Sequence, residues 1–339
     1  MSRRIAFCAD GTWEGVTGNT NVYRISKAIT AIPGEQYSFY DDGVGADGTP
    51  IEKLLGGAFG AGLFQKIKDG YSAISNVYEE GDEVFIFGFS RGAYTARSLA
   101  GMIAGCGLPT KNPDTNLVNS AFQAYRNKDE RATILATLGA YGLVNAQITM
   151  VGVWDTVGSL GIPAIFGAVG PLYEFLDTGL HPDILNAYHA VAIDERREEF
   201  PATLWTSPPA AGQTIEQIYF CGVHGDVGGG YGDTGTGTAL CDITLSWMMA
   251  HAQALGLVFD PGVAARFPSP IDKKLSLDLK HESWSPLWLF PKLRDIALKA
   301  TLANSVDVRC QTDNSYRPRN LTLVNGMPGP TYGRQIVVA

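Results

Sequence analysis

The segment Gly88-Phe89-Ser90-Arg91-Gly92 sets a serine between two glycines. A serine hydroxyl is a weak nucleophile until a neighbouring base takes its proton and the backbone presents it to a substrate. The apolar run Val84-Phe85-Ile86-Phe87 precedes the motif, and a helix-compatible stretch from Ala93 to Ala100 follows it. Strand, sharp turn and helix together make a nucleophile elbow, with helix amides facing the point where negative charge develops. A serine there for structure alone, a chance product of a glycine-rich chain, is the weaker reading in that context.

Such a serine needs a base, and the base needs an acid to orient it. Asp155 follows the apolar run 148–154 directly, and His224 follows the run 215–222. The order Ser90, Asp155, His224 is that of an α/β hydrolase, and all three stand at the carboxyl ends of expected strands. Asp226 competes for the acid's role. Two residues from the histidine it is badly placed to hold the far ring nitrogen, so its expected task is to pin the glycine-rich loop through backbone amides. His181, His189, His251 and His281 read as surface or structurally satisfied, His189 and His251 within helical patterns. For the oxyanion hole, the amide of Arg91 is expected to act with a donor from Asp10-Gly11-Thr12-Trp13, namely Gly11 or Thr12. A plain tight turn with an Asx-type hydrogen bond is an equal reading of that loop.

These residues must be held by a scaffold, and the hydropathy pattern supplies one. Continuous apolar runs at 5–9, 36–40, 83–87, 148–154 and 215–222 read as strands covered on both faces. Helical patterns at 94–106, 115–125 and 240–255 alternate with them, predicting a three-layer α/β-hydrolase-like fold with a mostly parallel sheet. The 339 residues read as one catalytic domain. Two apolar, aromatic segments, 161–180 and 283–291, do not fit the alternation. They are expected to cover the site, with Phe166, Phe175 and Trp288 binding an acyl chain; ordinary core packing is the equal alternative.

Composition narrows the chemistry. Hydrophobic residues at 45% and charged residues at 18% are enough for a buried core, which excludes a disordered chain. A net charge of −8 argues against a general grip on nucleic acid. Five widely spaced cysteines without a C-x-x-C pair read as reduced, buried thiols. Neither a secretory leader nor a membrane span is legible, so a cytoplasmic location is expected, with signal-less export left open. No metal or organic cofactor is expected. A dehalogenase-type phosphatase fails because Cys8 stands where its nucleophilic aspartate would be, and a metal hydrolase lacks a histidine cluster.

With these residues in hand, the chain resembles the α/β-hydrolase family that includes the catalytic domains of type VI secretion phospholipase effectors. The resemblance is carried in order by Asp10 to Trp13, Tyr40-Asp41-Asp42-Gly43-Val44-Gly45, Gly88 to Arg97, Val153 to Gly161, Ala192 to Arg197 and Gly222 to Tyr231. It implies a serine esterase acting on lipid or other apolar acyl esters, with Ser90, Asp155 and His224 catalytic. The implied partner is a small or lipid ester, met by at most transient contact with a membrane surface. The competing class is a non-catalytic hydrolase scaffold serving as a binding module.

Overall fold

A computed structural model describes residues 2–11, 19–43, 58–110, 113–157, 179–231, 238–288 and 290–339. Eight strands form one sheet: β1 (Arg4–Ala9), β2 (Gln36–Asp41), β3 (Glu83–Phe89), β4 (Ile148–Trp154), β5 (Asn186–Ala192), β6 (Thr214–Phe220), β7 (Thr301–Ala303) and β8 (Gly333–Gln335). Their spatial order is β2-β1-β3-β4-β5-β6-β7-β8, and each neighbouring pair runs parallel. Two short antiparallel ribbons, 108–109 with 143–144 and 323–324 with 327–328, lie outside it. This is the expected three-layer, mostly parallel α/β fold.

The helices include α1 (Asn21–Ala28), α2 (Ala58–Ser75), α3 (Arg91–Cys106), α4 (Thr115–Arg126), α5 (His224–Gly228), α6 (Cys241–Ala254) and α7 (Asn304–Thr312). Both sheet faces are buried, which is why the strands read as unbroken apolar runs. Along β3, Phe85, Phe87 and Phe89 join one core with Val22 and Ile25 of α1 and Trp247 and Met248 of α6. Val84 and Ile86 point the other way, into a core with Ile67 and Tyr71 of α2 and Leu99 and Ile103 of α3. Side chains alternate faces along a strand, so a strand with two apolar neighbours must be apolar throughout. Local capping starts the helices: Thr20 Oγ1 accepts from the Tyr23 amide at 3.0 Å, and Asp114 Oδ1 from the Leu117 amide at 2.8 Å.

One expectation is corrected. His189 lies in strand β5, not in a helix. Its segment, Asn-Ala-Tyr-His-Ala-Val-Ala, carries three alanines, and alanine favours helix in isolation. Pairing to β4 on one side and β6 on the other overrides that preference. Strands β7 and β8 are too short to leave a hydropathy signal. The five cysteines are buried and outside any disulfide. Among the described residues, no helix is long and apolar enough to cross a membrane.

The strand order places the site. β1 has β2 on one side and β3 on the other, so the chain winds outward in two directions from it. Open α/β sheets carry their crevice at the carboxyl ends flanking such a switch point. Gly11 follows β1 there and Ser90 follows β3. Phe89 pairs with Trp154, Trp154 with Ala190, and Ala192 with Phe220, so Ser90, Asp155 and the loop leading to His224 leave the same edge of the sheet.

Candidate active site

Ser90 sits between β3 and α3 with φ 58° and ψ −120°, a conformation uncommon for any residue but glycine. Its amide donates to the Trp154 carbonyl at 3.1 Å, which ties the elbow to the neighbouring strand. The flanking glycines are sterically required. A Cβ on Gly88 would lie 2.4 Å from the Gly92 carbonyl oxygen, and one on Gly92 only 2.2 Å from that of Ala9. Strain of this kind persists only where surrounding structure holds it, and it collects at functional sites. Arg91 opens α3, whose first-turn amides have no acceptor within the helix itself.

Asp155, like Ser90, is held at positive φ, at 37°. Its amide donates to the Ala190 carbonyl at 2.7 Å, and its carboxylate is fully buried. Oδ1 accepts from the Ala192 amide at 2.9 Å and from Arg294 Nη1 at 2.6 Å. Oδ2 takes Arg294 Nη2 at 2.8 Å and the His224 Nδ1 proton at 2.6 Å. Burial alone would raise the carboxyl's pKa, but the Arg294 guanidinium and His224 hold it far below the ordinary carboxylate range. Asp155 therefore stays ionised and fixes the imidazole with its proton on Nδ1.

His224 is the first residue of α5 and is buried between two rings. Phe89, the neighbour of Ser90, lies against it with centroids 4.5 Å apart, and Phe200 meets it edge-on at 5.1 Å. This contact brings the serine turn and the histidine loop together. Burial lowers the His224 pKa, with Asp155 opposing, so the ring is neutral near pH 7 and Nε2 is left as a base. Asp226 spends its carboxylate elsewhere: Oδ2 accepts from the amides of Val223 and His281, each at 3.0 Å, and Oδ1 pairs with His281 Nδ1 at 2.6 Å. It braces the loop, and His281, stacked on Tyr231 at 3.8 Å, is its structural partner.

Two supporting residues escaped the sequence reading. Glu195, fully buried, accepts from the His224 amide at 3.2 Å, from Ser283 Oγ at 2.8 Å and from Arg197 through both Nε and Nη2 at 2.9 Å. Burial would raise its pKa, yet the Arg197 hydrogen bonds bring it down to about 2. Its signal was visible: a charged cluster, Asp194 to Arg197, directly after an apolar segment. Arg294 left no such trace, since nothing local marks an arginine as the partner of a carboxylate 139 positions away.

The oxyanion and acyl expectations fare unevenly. The Gly11 amide donates to the side chain of its own neighbour, Asp10 Oδ1, at 2.7 Å. Asp10 is fixed further by Thr20 Oγ1 at 2.6 Å and Tyr40 Oη at 2.8 Å. A Cβ on Gly11 would touch that of Ser90 at 3.4 Å, so this loop does flank the nucleophile. Thr12 lies outside the described residues, as do Phe166 and Phe175 and all of 161–180 except Gly179 and Leu180. Trp288 meets Phe200 edge-on at 5.5 Å, with the Arg197 guanidinium over both rings, which puts it one ring away from His224. Segment 283–291 runs across the loop after β5, anchored by the Lys292 amide on the Arg196 carbonyl at 2.8 Å, and so delivers Arg294. Phe290 within it is 72% exposed. Among the described residues, no group of three His, Cys, Asp or Glu side chains is gathered as a metal site.

A parallel α/β sheet with a serine elbow, a buried acid–histidine pair and apolar rings at one edge defines a hydrolase-type site. The chain belongs to the family of catalytic domains of Tle1-like phospholipase effectors of type VI secretion systems, whose profile matches residues 3–251. It is 28% identical over 234 residues to an uncharacterized protein of Saccharomyces cerevisiae, an alignment covering 61% of this chain and 33% of that protein. A crystal structure of an uncharacterized protein from Pseudomonas aeruginosa superposes with a TM-score of 0.47 at 18% identity, over 79% of this chain and 49% of that one. The chain thus spans about a third of the yeast protein's length and about half of the bacterial one's. Arg294 lies beyond the stretch that the family profile covers.

Proposed function

We propose that the protein is a serine hydrolase of carboxylic esters, acting on lipid-like substrates through an acyl-enzyme. The observation that carries this is the 2.6 Å bond from His224 Nδ1 to buried Asp155, made beside a serine held on a glycine-flanked turn at φ 58°. Family membership supports the lipase-like direction. His224 Nε2 takes the Ser90 proton as Oγ attacks the ester carbonyl. The resulting imidazolium is stabilised by Asp155, which keeps its own negative charge. The tetrahedral oxyanion is met by the Arg91 amide at the start of α3, favoured there by the helix dipole. His224 then returns the proton to the leaving alcohol, the Ser90–acyl ester remains, and water reverses the roles to release the acid. Trp288 and Phe200 offer an apolar wall for the acyl chain.

A fluorophosphonate probe tests the assignment. The wild-type chain is expected to be labelled at Ser90 and to hydrolyse p-nitrophenyl esters, while a folded Ser90→Ala variant does neither. Labelling that persists in the variant would remove Ser90 from its role. A wild-type chain that neither labels nor turns over any ester, phospholipids included, would favour a scaffold that binds without cleaving.

A further inference from the structure

A cavity of about 440 Å³ is walled by α1, the start of α6 and the segment 263–267. None of Ser90, Asp155 and His224 lines it. Its frame is fixed by buried polar contacts. Asn21 of α1 donates through Nδ2 to the Cys241 carbonyl at 2.9 Å and to Thr244 Oγ1 at 3.0 Å, which ties that helix to α6. Arg24, one of the lining residues, gives Nη1 to Asn21 Oδ1 at 2.9 Å and Nη2 to Asp242 Oδ1 at 2.5 Å. Both side chains of the Arg24–Asp242 pair are mostly buried, and their charges cancel.

Two further cations line the same cavity without such a partner. Lys27 stands one turn past Tyr23 on the same face of α1, its ammonium 5.4 Å from the centroid of that ring. The Arg266 guanidinium lies 5.6 Å from the centroid of Phe267. Both residues are exposed, so their charged heads are within reach of a solute. Among the described residues, neither side chain makes a hydrogen bond or an ion pair. Asp242, the one carboxylate among the lining residues, is already spent on Arg24. The cavity thus keeps two uncompensated positive charges in a chain whose net charge is −8. A concave wall carrying one sign of charge focuses its field on whatever enters. Each head also rests over a ring, which restrains it and lowers the entropy lost on gripping an anion. Leu245, Val263 and Phe267 add apolar surface to the same wall.

We propose that this cavity binds a small organic phosphate, separate from the ester-cleaving centre. Lys27 and Arg266 take the phosphate, and Leu245, Val263 and Phe267 pack against the organic body. A phosphate monoester carries about 1.5–2 negative charges at pH 7, which matches the two free cations. The forked donors of an arginine suit its tetrahedral oxygens. The volume lies within the usual range for ligand pockets, about 300–1,000 Å³, which leaves room for more than the anion alone.

Calorimetric titration of the full chain at constant ionic strength tests this, with phenyl phosphate, inorganic phosphate and phenol in separate arms. Phenyl phosphate is expected to bind saturably and one-to-one, equally in wild type and in Ser90→Ala. Inorganic phosphate should bind at least about tenfold more weakly for want of the apolar contacts, and phenol should not bind. Lys27 and Arg266 are exposed, so Lys27→Gln and Arg266→Gln should fold normally. Each should weaken phenyl phosphate binding by about tenfold or more, the worth of one charge-assisted hydrogen bond. No saturable binding of phenyl phosphate, or an affinity unchanged in both variants, overturns the proposal. So does phenol binding as tightly as phenyl phosphate, which would remove the anion from the recognition, or inorganic phosphate doing so, which would remove the organic body. Binding lost in Ser90→Ala would place the ligand at the ester-cleaving centre and overturn it equally.

Discussion

Replacing Arg294 with methionine removes the cation beneath the acid while keeping an unbranched apolar side chain in its place. Two of the four hydrogen bonds to Asp155 disappear, leaving those from the Ala192 amide and His224. Both partners are buried, so the variant strands a carboxylate in a low-dielectric site, a change that costs about 3–5 kcal/mol. With an unfolding entropy of about 2.1 cal/mol/K per residue over 339 residues, this corresponds to a melting point lower by roughly 4–7 °C. The catalytic effect differs in kind. Loss of one charge-assisted bond's worth of orientation lowers kcat/KM by about 10- to 100-fold. Arg294 also repels a protonated His224 across their shared carboxylate, so removing it favours the imidazolium and moves the acid limb of kcat/KM to higher pH. The assay is a pH profile of ester hydrolysis normalised to folded protein, alongside thermal unfolding. Arg294→Lys should recover part of the activity and return the acid limb toward that of the wild type, because the charge remains while the fork is lost. A variant that melts lower yet keeps both the wild-type rate and the wild-type acid limb would show that Arg294 supports only the fold.

Asp155→Asn should cut kcat by something approaching the ~10⁴-fold seen when a triad acid is neutralised, whereas Asp226→Asn, which loosens the His281 contact, should cost much less; a larger loss at Asp226 refutes the assignment of the acid. Because burial depresses the His224 pKa, the wild-type acid limb should fall below the ordinary histidine value of about 6.5, and a limb above it would contradict the buried environment. His189 is held neutral, its Nε2 accepting from the Thr156 amide at 3.1 Å and its pKa lowered by burial to about 3. The unfolded chain takes up that proton below about pH 6.5 while the folded one does not, so stability is lost as pH falls through the window from 6.5 toward 3, by about 2 kcal/mol at pH 5. His189→Gln should flatten that part of the unfolding curve, and an unchanged slope would refute it. Trp288→Ala should lower kcat/KM far more for a long acyl ester than for acetate, at up to ~0.8 kcal/mol per buried CH₂; equal losses with a lower melting point would make Trp288 only a packing residue.

Residues that act through their immediate neighbours were legible from the chain alone. Gly88 and Gly92 announce a turn that no side chain could share, and the apolar runs at β1, β3, β4 and β6 announce strands buried on both faces. Family membership rested on the same local segments. Interactions that bridge distant segments were not legible. Strand β5 is a strand because β4 and β6 hydrogen-bond to it, against the helical leaning of its alanines. Asp10 is fixed by Thr20 Oγ1 and Tyr40 Oη, partners that its sequence neighbours do not announce. Arg294 reaches Asp155 only because 283–291 is pinned over the loop after β5, and an arginine's sequence neighbours say nothing about which carboxylate it will meet. Backbone preferences are set within a few residues and so are written locally, whereas the pairing of buried charges depends on which distant segments the sheet brings together; Ser90, Asp155 and His224 could be named from the chain, and the cation beneath Asp155 was decided by the tertiary fold.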